Sequence, residues 1–430
     1  MATISSVYRC CALGSKRSAR FGVHSRRHYG IVPLRDLIEL QNRPSIIRRH
    51  DFFSQHGRTQ SYGKSHTEER LLDYDPILTQ CIARWLWLHY KITDYPYYDL
   101  NIFNVFTDLP QSVYFMRKIM QYFHQVLPAE SFTRINYYLI PLYRCSKTDK
   151  EHLLRDIPGN VHLIEETTLF PLNKPLGPNY RDGSEIFIHD PVRVLMFNDI
   201  FPKLAQDLVR YDSKSRKWEQ CYAGSEAGSP LSLQFSSDLD YWCDHTLKSL
   251  YGSENGVLNP DGRETNSNGV YVPTQFVQLL EQLKVNAPDY RLFAIDTPKH
   301  HHPGTFASRI RRFFTGGREC ESQPAYTDPH NIAAVLSAAS QAPGASPTKI
   351  RFRPNFDQLQ TITNHINDSD THGVFPPCQT ETLGAFCDKW VDVKVKQRTD
   401  RTNALPQEFL DRLQLQLELA RRSPLAIMHT

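Results

Sequence analysis

The chain has 430 residues, 40% of them hydrophobic and 22% charged, which is ordinary for a soluble globular protein. Its 20 glycines and 28 prolines exclude a collagen-like or wholly disordered chain, and its length allows roughly two or three domains. Fifty Lys and Arg against 46 Asp and Glu leave a net charge of +4, so small an excess that its placement matters more than its size.

That excess is concentrated at the start of the chain. Residues 1–35 carry Arg9, Lys16, Arg17, Arg20, Arg26, Arg27 and Arg35, and the first acid is Asp36. Ser5, Ser6, Ser15, Ser18 and Ser25 fill the gaps. An Arg-rich, Ser-rich, acid-free N-terminus has the composition of a mitochondrial transit peptide. Arg27-His28-Tyr29-Gly30 resembles a matrix-processing site, so residues 1–29 are read as the presequence and the mitochondrial matrix as the destination. The competing reading is a basic arm for nucleic acid, which has no reason to exclude acids. Losing residues 1–29 removes six of the 50 basic residues and none of the 46 acidic ones, leaving a net charge of −2. A body of that charge argues against a nucleic-acid footprint.

No run of 18 apolar residues exists, so no membrane span is expected. Ile82–Tyr90 is apolar but short and contains Arg84, and reads as a buried helix. The nine cysteines form no C-x-x-C pair and suit a reduced compartment better than a disulfide frame. His300-His301-His302 lacks Cys or acid partners at ligand spacing, so it reads as a loop and no metal site is expected.

Residues 71–99 are aromatic-rich and read as helical. A strand follows over Leu100–Phe106, then a helix over Ser112–Leu127 with Val113, Met116, Ile119, Met120, Phe123 and Val126 on one face. Further strands are expected at Ile135–Leu142, Val161–Ile164, Val192–Phe197 and Leu292–Ile295. Leu208–Tyr211 and Trp218–Ala223 read as a hairpin around a polar turn. Thr274–Lys284 reads as a helix with Thr274 as its N-cap, and Phe409–Ala420 as another. Gly316–Pro347 is rich in Gly, Ala, Ser and Pro. Strands alternating with helices predict an α/β fold, a Rossmann-like sheet with helices on both faces, plus an N-terminal helical or irregular segment and inserted loops. The expected division is 1–29 presequence, 30–95 N-terminal segment, 96–314 α/β core, 315–348 flexible insertion and 349–430 completing the fold.

In such folds the ligand lies outside the carboxyl ends of the strands. The first turn, Asn104-Val105-Phe106-Thr107-Asp108-Leu109-Pro110, holds none of the glycines that let a backbone approach a nucleotide-type ligand. The second strand ends Leu139-Ile140-Pro141-Leu142, with Pro141 where an acid would accept from two ribose hydroxyls. A purely structural account makes Asp108 a helix cap and Pro141 a strand end. The fourth strand ends in Asn198-Asp199, an amide and a carboxylate able to hold a cationic or amide group, or else a polar cap.

At these residues the chain resembles the MidA-like family of S-adenosylmethionine-dependent methyltransferases. Mitochondrial members of that family include a protein arginine methyltransferase that assists respiratory complex I assembly. Tyr97–Ile102 is similar to the family's entry into its first strand, and Asn198-Asp199-Ile200-Phe201 to its Asn-Glu-Phe-Phe motif. Gln206–Asp212, Val272-Pro273-Thr274 with Pro288 and Asp296, Phe352–Phe356 and Phe386–Trp390 resemble later blocks in the same order. Together they span roughly residues 80–400. The resemblance implies a methyltransferase fold and S-adenosylmethionine as cofactor. It places the cofactor at Asn104, Phe106, Asp108 and Pro141, where residue types depart from the family's. It gives Asn198 and Asp199 the role of holding a substrate guanidinium. It also implies a protein substrate or assembly partner in mitochondria, with a homo-oligomer left open. Two alternatives stay beside it: an inert assembly factor on the same fold, favoured by the missing glycines, and a mitochondrial RNA- or ribosome-associated protein, disfavoured by the charge.

Overall fold

The computed structural model describes residues 31–42, 71–142, 154–164, 183, 188, 190–197, 200–224, 232–252, 269–287, 289–298, 332, 350–368, 376–392 and 407–430. The presequence, the His300–His302 run, nearly all of the expected insertion and the pair Asn198-Asp199 lie outside them. Strand β1 (Val32–Pro33) and helix α1 (Leu34–Asn42) come first, then a 3-10 turn (Leu71–Tyr74) and α2 (Ile77–Thr93). The alternation predicted from periodicity follows as β2 (Leu100–Phe106), α3 (Leu109–Val126), the one-turn α4 (Ala129–Phe132), β3 (Ile135–Pro141), β4 (Asn160–Leu163) and β5 (Val192–Met196). A 3-10 turn (Phe201–Lys203) leads into β6 (Asp207–Asp212), β7 (Lys217–Gly224) and β8 (Ser232–Ser236). Then come α5 (Tyr241–Tyr251), β9 (Val270–Val272), α6 (Thr274–Asn286) and β10 (Arg291–Asp296). The chain closes with α7 (Phe356–Asp368), β11 (Gln379–Thr382), α8 (Leu383–Trp390), α9 (Gln407–Arg422) and β12 (Ala426–His429).

Among the described residues the main sheet has seven strands in the order β11-β12-β10-β5-β2-β3-β4. β10, β5, β2, β3 and β4 are parallel neighbours, while β12 runs antiparallel to both β10 and β11. All seven β2 side chains are buried, as a central strand covered on both faces requires. One face carries α2, α3, α8 and α9 around Trp85, Met116, Phe293 and Phe386. The other carries α6 and α7 around Val194, Leu280 and Ile362. From β2 the chain winds outward through β3 and β4, then crosses back to β5 and β10. The winding reverses between β2 and β5, and that is where such a sheet opens a ligand crevice.

A second sheet joins β1, β7, β6 and β9, with β8 pairing to β7. Its β6–β7 turn is set locally: the Asp212 carboxylate accepts the Lys214 N–H at 3.1 Å and the Ser215 N–H at 3.2 Å, and Arg216 has φ 55°. α1 anchors this sheet through Arg35, whose guanidinium donates to Asp207 at 2.6 Å and Asp240 at 2.9 Å. Burial alone would lower the Arg35 pKa, but the two carboxylates raise it. They shift in opposite senses themselves. Burial raises the pKa of the fully buried Asp207, while at Asp240 the charge of Arg35, helped by the Cys243 N–H at the start of α5, outweighs burial and the pKa falls.

Three local expectations are corrected. Val126 ends α3 at 57% exposed instead of joining the buried face, because the helix stops there. Thr274 is the first residue of α6 and not its cap, since Pro273 takes the cap position and the Thr274 hydroxyl donates back to the Val272 carbonyl. The main sheet also gains an antiparallel pair, β11 and β12, that periodicity did not predict.

Candidate crevice at the reversal of the sheet

β2 brings Asn104 and Phe106 to the reversal point, the turn after it adds Asp108, and β3 brings Pro141 beside Phe106 in parallel register. The Leu142 N–H donates to the Phe106 carbonyl at 2.7 Å, locking the two strand ends together. Asn104 is fully buried and donates from Nδ2 to the Tyr137 hydroxyl at 3.1 Å. Its Oδ1 is sealed from solvent and has no hydrogen-bond partner among the described residues. Burial pushes the Tyr137 phenol upward, so it stays protonated as that partner.

Phe106 is 1% exposed and belongs to the apolar layer that includes Val113, Phe115 and Phe197. The Phe115 and Phe197 rings lie 4.8 Å apart between centroids, so the second turn of α3 is packed against the end of β5. Asp108 caps α3 by accepting the Gln111 N–H at 3.3 Å, with Pro110 in the first turn as such a helix start favours. The ammonium of Lys203, in the turn after Asn198-Asp199, donates to the Thr107 hydroxyl across the crevice.

Asn198 and Asp199 themselves are outside the described residues, but Phe197 and Ile200 on either side are buried. Three separated segments meet just beyond them. The Phe201 ring lies 5.6 Å from Phe276 on α6 and 6.0 Å from Phe356 on α7. The Phe352 N–H donates to the Pro202 carbonyl at 3.0 Å. Sequence reasoning found the residues of the strand ends and missed Lys203 and Tyr137, which carry no local signal because both act through partners distant in sequence. Among the described residues no three His, Cys, Asp or Glu side chains gather as metal ligands, and no helix is long and apolar enough to cross a membrane.

A parallel sheet wound outward both ways from a central reversal, with an antiparallel strand near one edge, defines the class: a Rossmann-like methyltransferase architecture. A family model described as "Putative S-adenosyl-L-methionine-dependent methyltransferase" matches residues 81–374. A curated relative from Saccharomyces cerevisiae, the mitochondrial "Protein arginine methyltransferase NDUFAF7 homolog", is 32% identical over 401 residues, covering 93% of this chain and 90% of the relative. The chain belongs to this family of S-adenosyl-L-methionine-dependent methyltransferases. Among solved structures, a COG1565 superfamily protein from Burkholderia thailandensis bound to S-adenosyl-homocysteine is similar in fold, with a TM-score of 0.50 at 8% identity, covering 93% of this chain and 87% of that one.

The family's cofactor can be tested against the residues present. S-adenosylmethionine would need close backbone approach at the β2 turn and an acceptor for its ribose at the end of β3. Phe106, Thr107 and Leu109 put side chains on that turn, two of them buried. Pro141 offers no side-chain acceptor, and the Asn104 Oδ1 is walled off. These residues do not fit the cofactor at the family position.

Proposed function

We propose that this chain is a mitochondrial methyltransferase-like protein of the protein arginine methyltransferase type, acting in the matrix on a protein partner during assembly of a respiratory complex. Its near full-length relationship to the yeast relative carries the reading, together with the acid-free basic leader. Residues 1–29 are the presequence in this reading, 96–314 and 349–430 make the working fold, and 315–348 is an insertion. In this reading Asn198 and Asp199 hold a partner's arginine. A carboxylate accepts two guanidinium N–H groups in charge-assisted bonds, and the amide fixes the orientation of the group.

The test is made in cells from which the chain has been deleted. Native gels of their mitochondria are expected to show a respiratory complex stalled before completion, restored by the wild-type chain and restored poorly by Asp199→Ala. Normal assembly in the deletion cells rules the role out. Import of labelled precursor into isolated mitochondria is expected to shorten it by about 29 residues.

A further inference from the structure

We propose that the crevice at the sheet reversal is closed by the chain's own side chains, so that this member does not take up S-adenosylmethionine and contributes to assembly by binding its partner alone. The inference rests on the membership and partner role set out above and departs from them only at the cofactor.

Four independent features point the same way. A cofactor in such a sheet passes over a turn whose glycines leave room for it. Here Phe106 sits at that turn, 1% exposed, and is packed into the apolar layer with Phe115 and Phe197. Second, the start of a helix offers N–H groups to an anionic or polar ligand. The Asp108 carboxylate already accepts there, from the Gln111 N–H. Third, Lys203 reaches from the β5 side to Thr107 on the β2 side and bridges the opening. Fourth, the ribose hydroxyls would meet Pro141, which is buried in register with Phe106 and has no acceptor on its side chain. A lost hydrogen bond to a charged acceptor weakens binding about tenfold or more, and two hydroxyls depend on this position.

Direct titration decides it. The full chain is titrated with S-adenosylmethionine and, separately, S-adenosylhomocysteine by calorimetry, and its melting midpoint is followed at 1 mM of each. A cooperative melting transition in the same sample certifies that the protein is folded. The expected result is no saturable heat and an unmoved midpoint. A Kd below about 0.1 mM for either compound, or a midpoint raised by several degrees, overturns the inference. The two proposals fail separately: tight cofactor binding with an assembly defect sinks only the closed crevice, whereas no binding with normal assembly sinks only the partner role.

Discussion

His89 on α2 lies between two indole rings, 4.8 Å from Trp85 and 5.8 Å from Trp390 between centroids. Burial lowers its pKa from 6.5 to about 4, and the nearby Arg193 pushes in the same sense. As pH falls below 6.5 the unfolded chain takes up the proton, while the folded chain refuses it until about pH 4. Stability therefore drops through that window and levels off below it. His89 keeps some contact with water, so solvent screening holds the effect to about 1–2 kcal/mol. Urea unfolding from pH 7 to pH 4 is expected to show a shallower decline in His89→Gln than in the wild type. Parallel curves would show that His89 titrates normally. At this scale the sequence was legible where residue type alone matters: Phe106 and Pro141 announce a crowded strand end without being seen in space. It was silent about Lys203 and Thr107, which lie 96 residues apart and meet only because β2 and β5 are neighbours.

α3 and β2 were readable as elements because their patterns are long and regular: Val113, Met116, Ile119, Met120 and Phe123 are all buried. β11 and β12 were not. Each has four residues, and each is a strand only through its neighbour, so no period could build up. The α8–α9 contact that leads into them turns on Gly384. A Cβ at that position would come within 2.5 Å of the Arg421 Cα and 3.2 Å of the Ala420 carbonyl oxygen. The same two helices are tied by Arg421, whose guanidinium donates twice to Asp388, at 3.0 and 2.7 Å. Gly384→Ala must push the helices apart and is expected to destabilise the protein by about 1–3 kcal/mol. The measurement is the urea midpoint. Arg421→Ala, an exposed pair, should move that midpoint by less than about 1 kcal/mol. A neutral Gly384→Ala would mean that α9 shifts freely.

Across the whole molecule, β1 and α1 close the second sheet. Leu34 and Ile38 pack on Leu208, Cys221 and Ala223, and Arg35 pairs with the buried Asp207 and the half-buried Asp240. Removing one partner of a buried ion pair costs about 3–5 kcal/mol, because the charge left behind keeps its desolvation penalty. A chain starting at residue 31 is therefore expected to melt like the mature protein, and one starting at residue 43 to lose its cooperative transition. Equal melting would show that α1 is dispensable. The proposed presequence removal near residue 29 would stop just short of this anchor.

The sequence by itself determined the acid-free basic leader, the alternation of strand and helix, and a first turn without glycine. Each is a matter of local composition or period, and water and backbone geometry read these the same way in any fold. Only the tertiary structure decided that β12 enters beside β10, that Lys203 spans the crevice to Thr107, and that Arg35 is paired with Asp207 172 residues away. Those contacts form between segments whose separation along the chain carries no pattern. Burial then sets their strength by removing the water that would otherwise compete for the same charges.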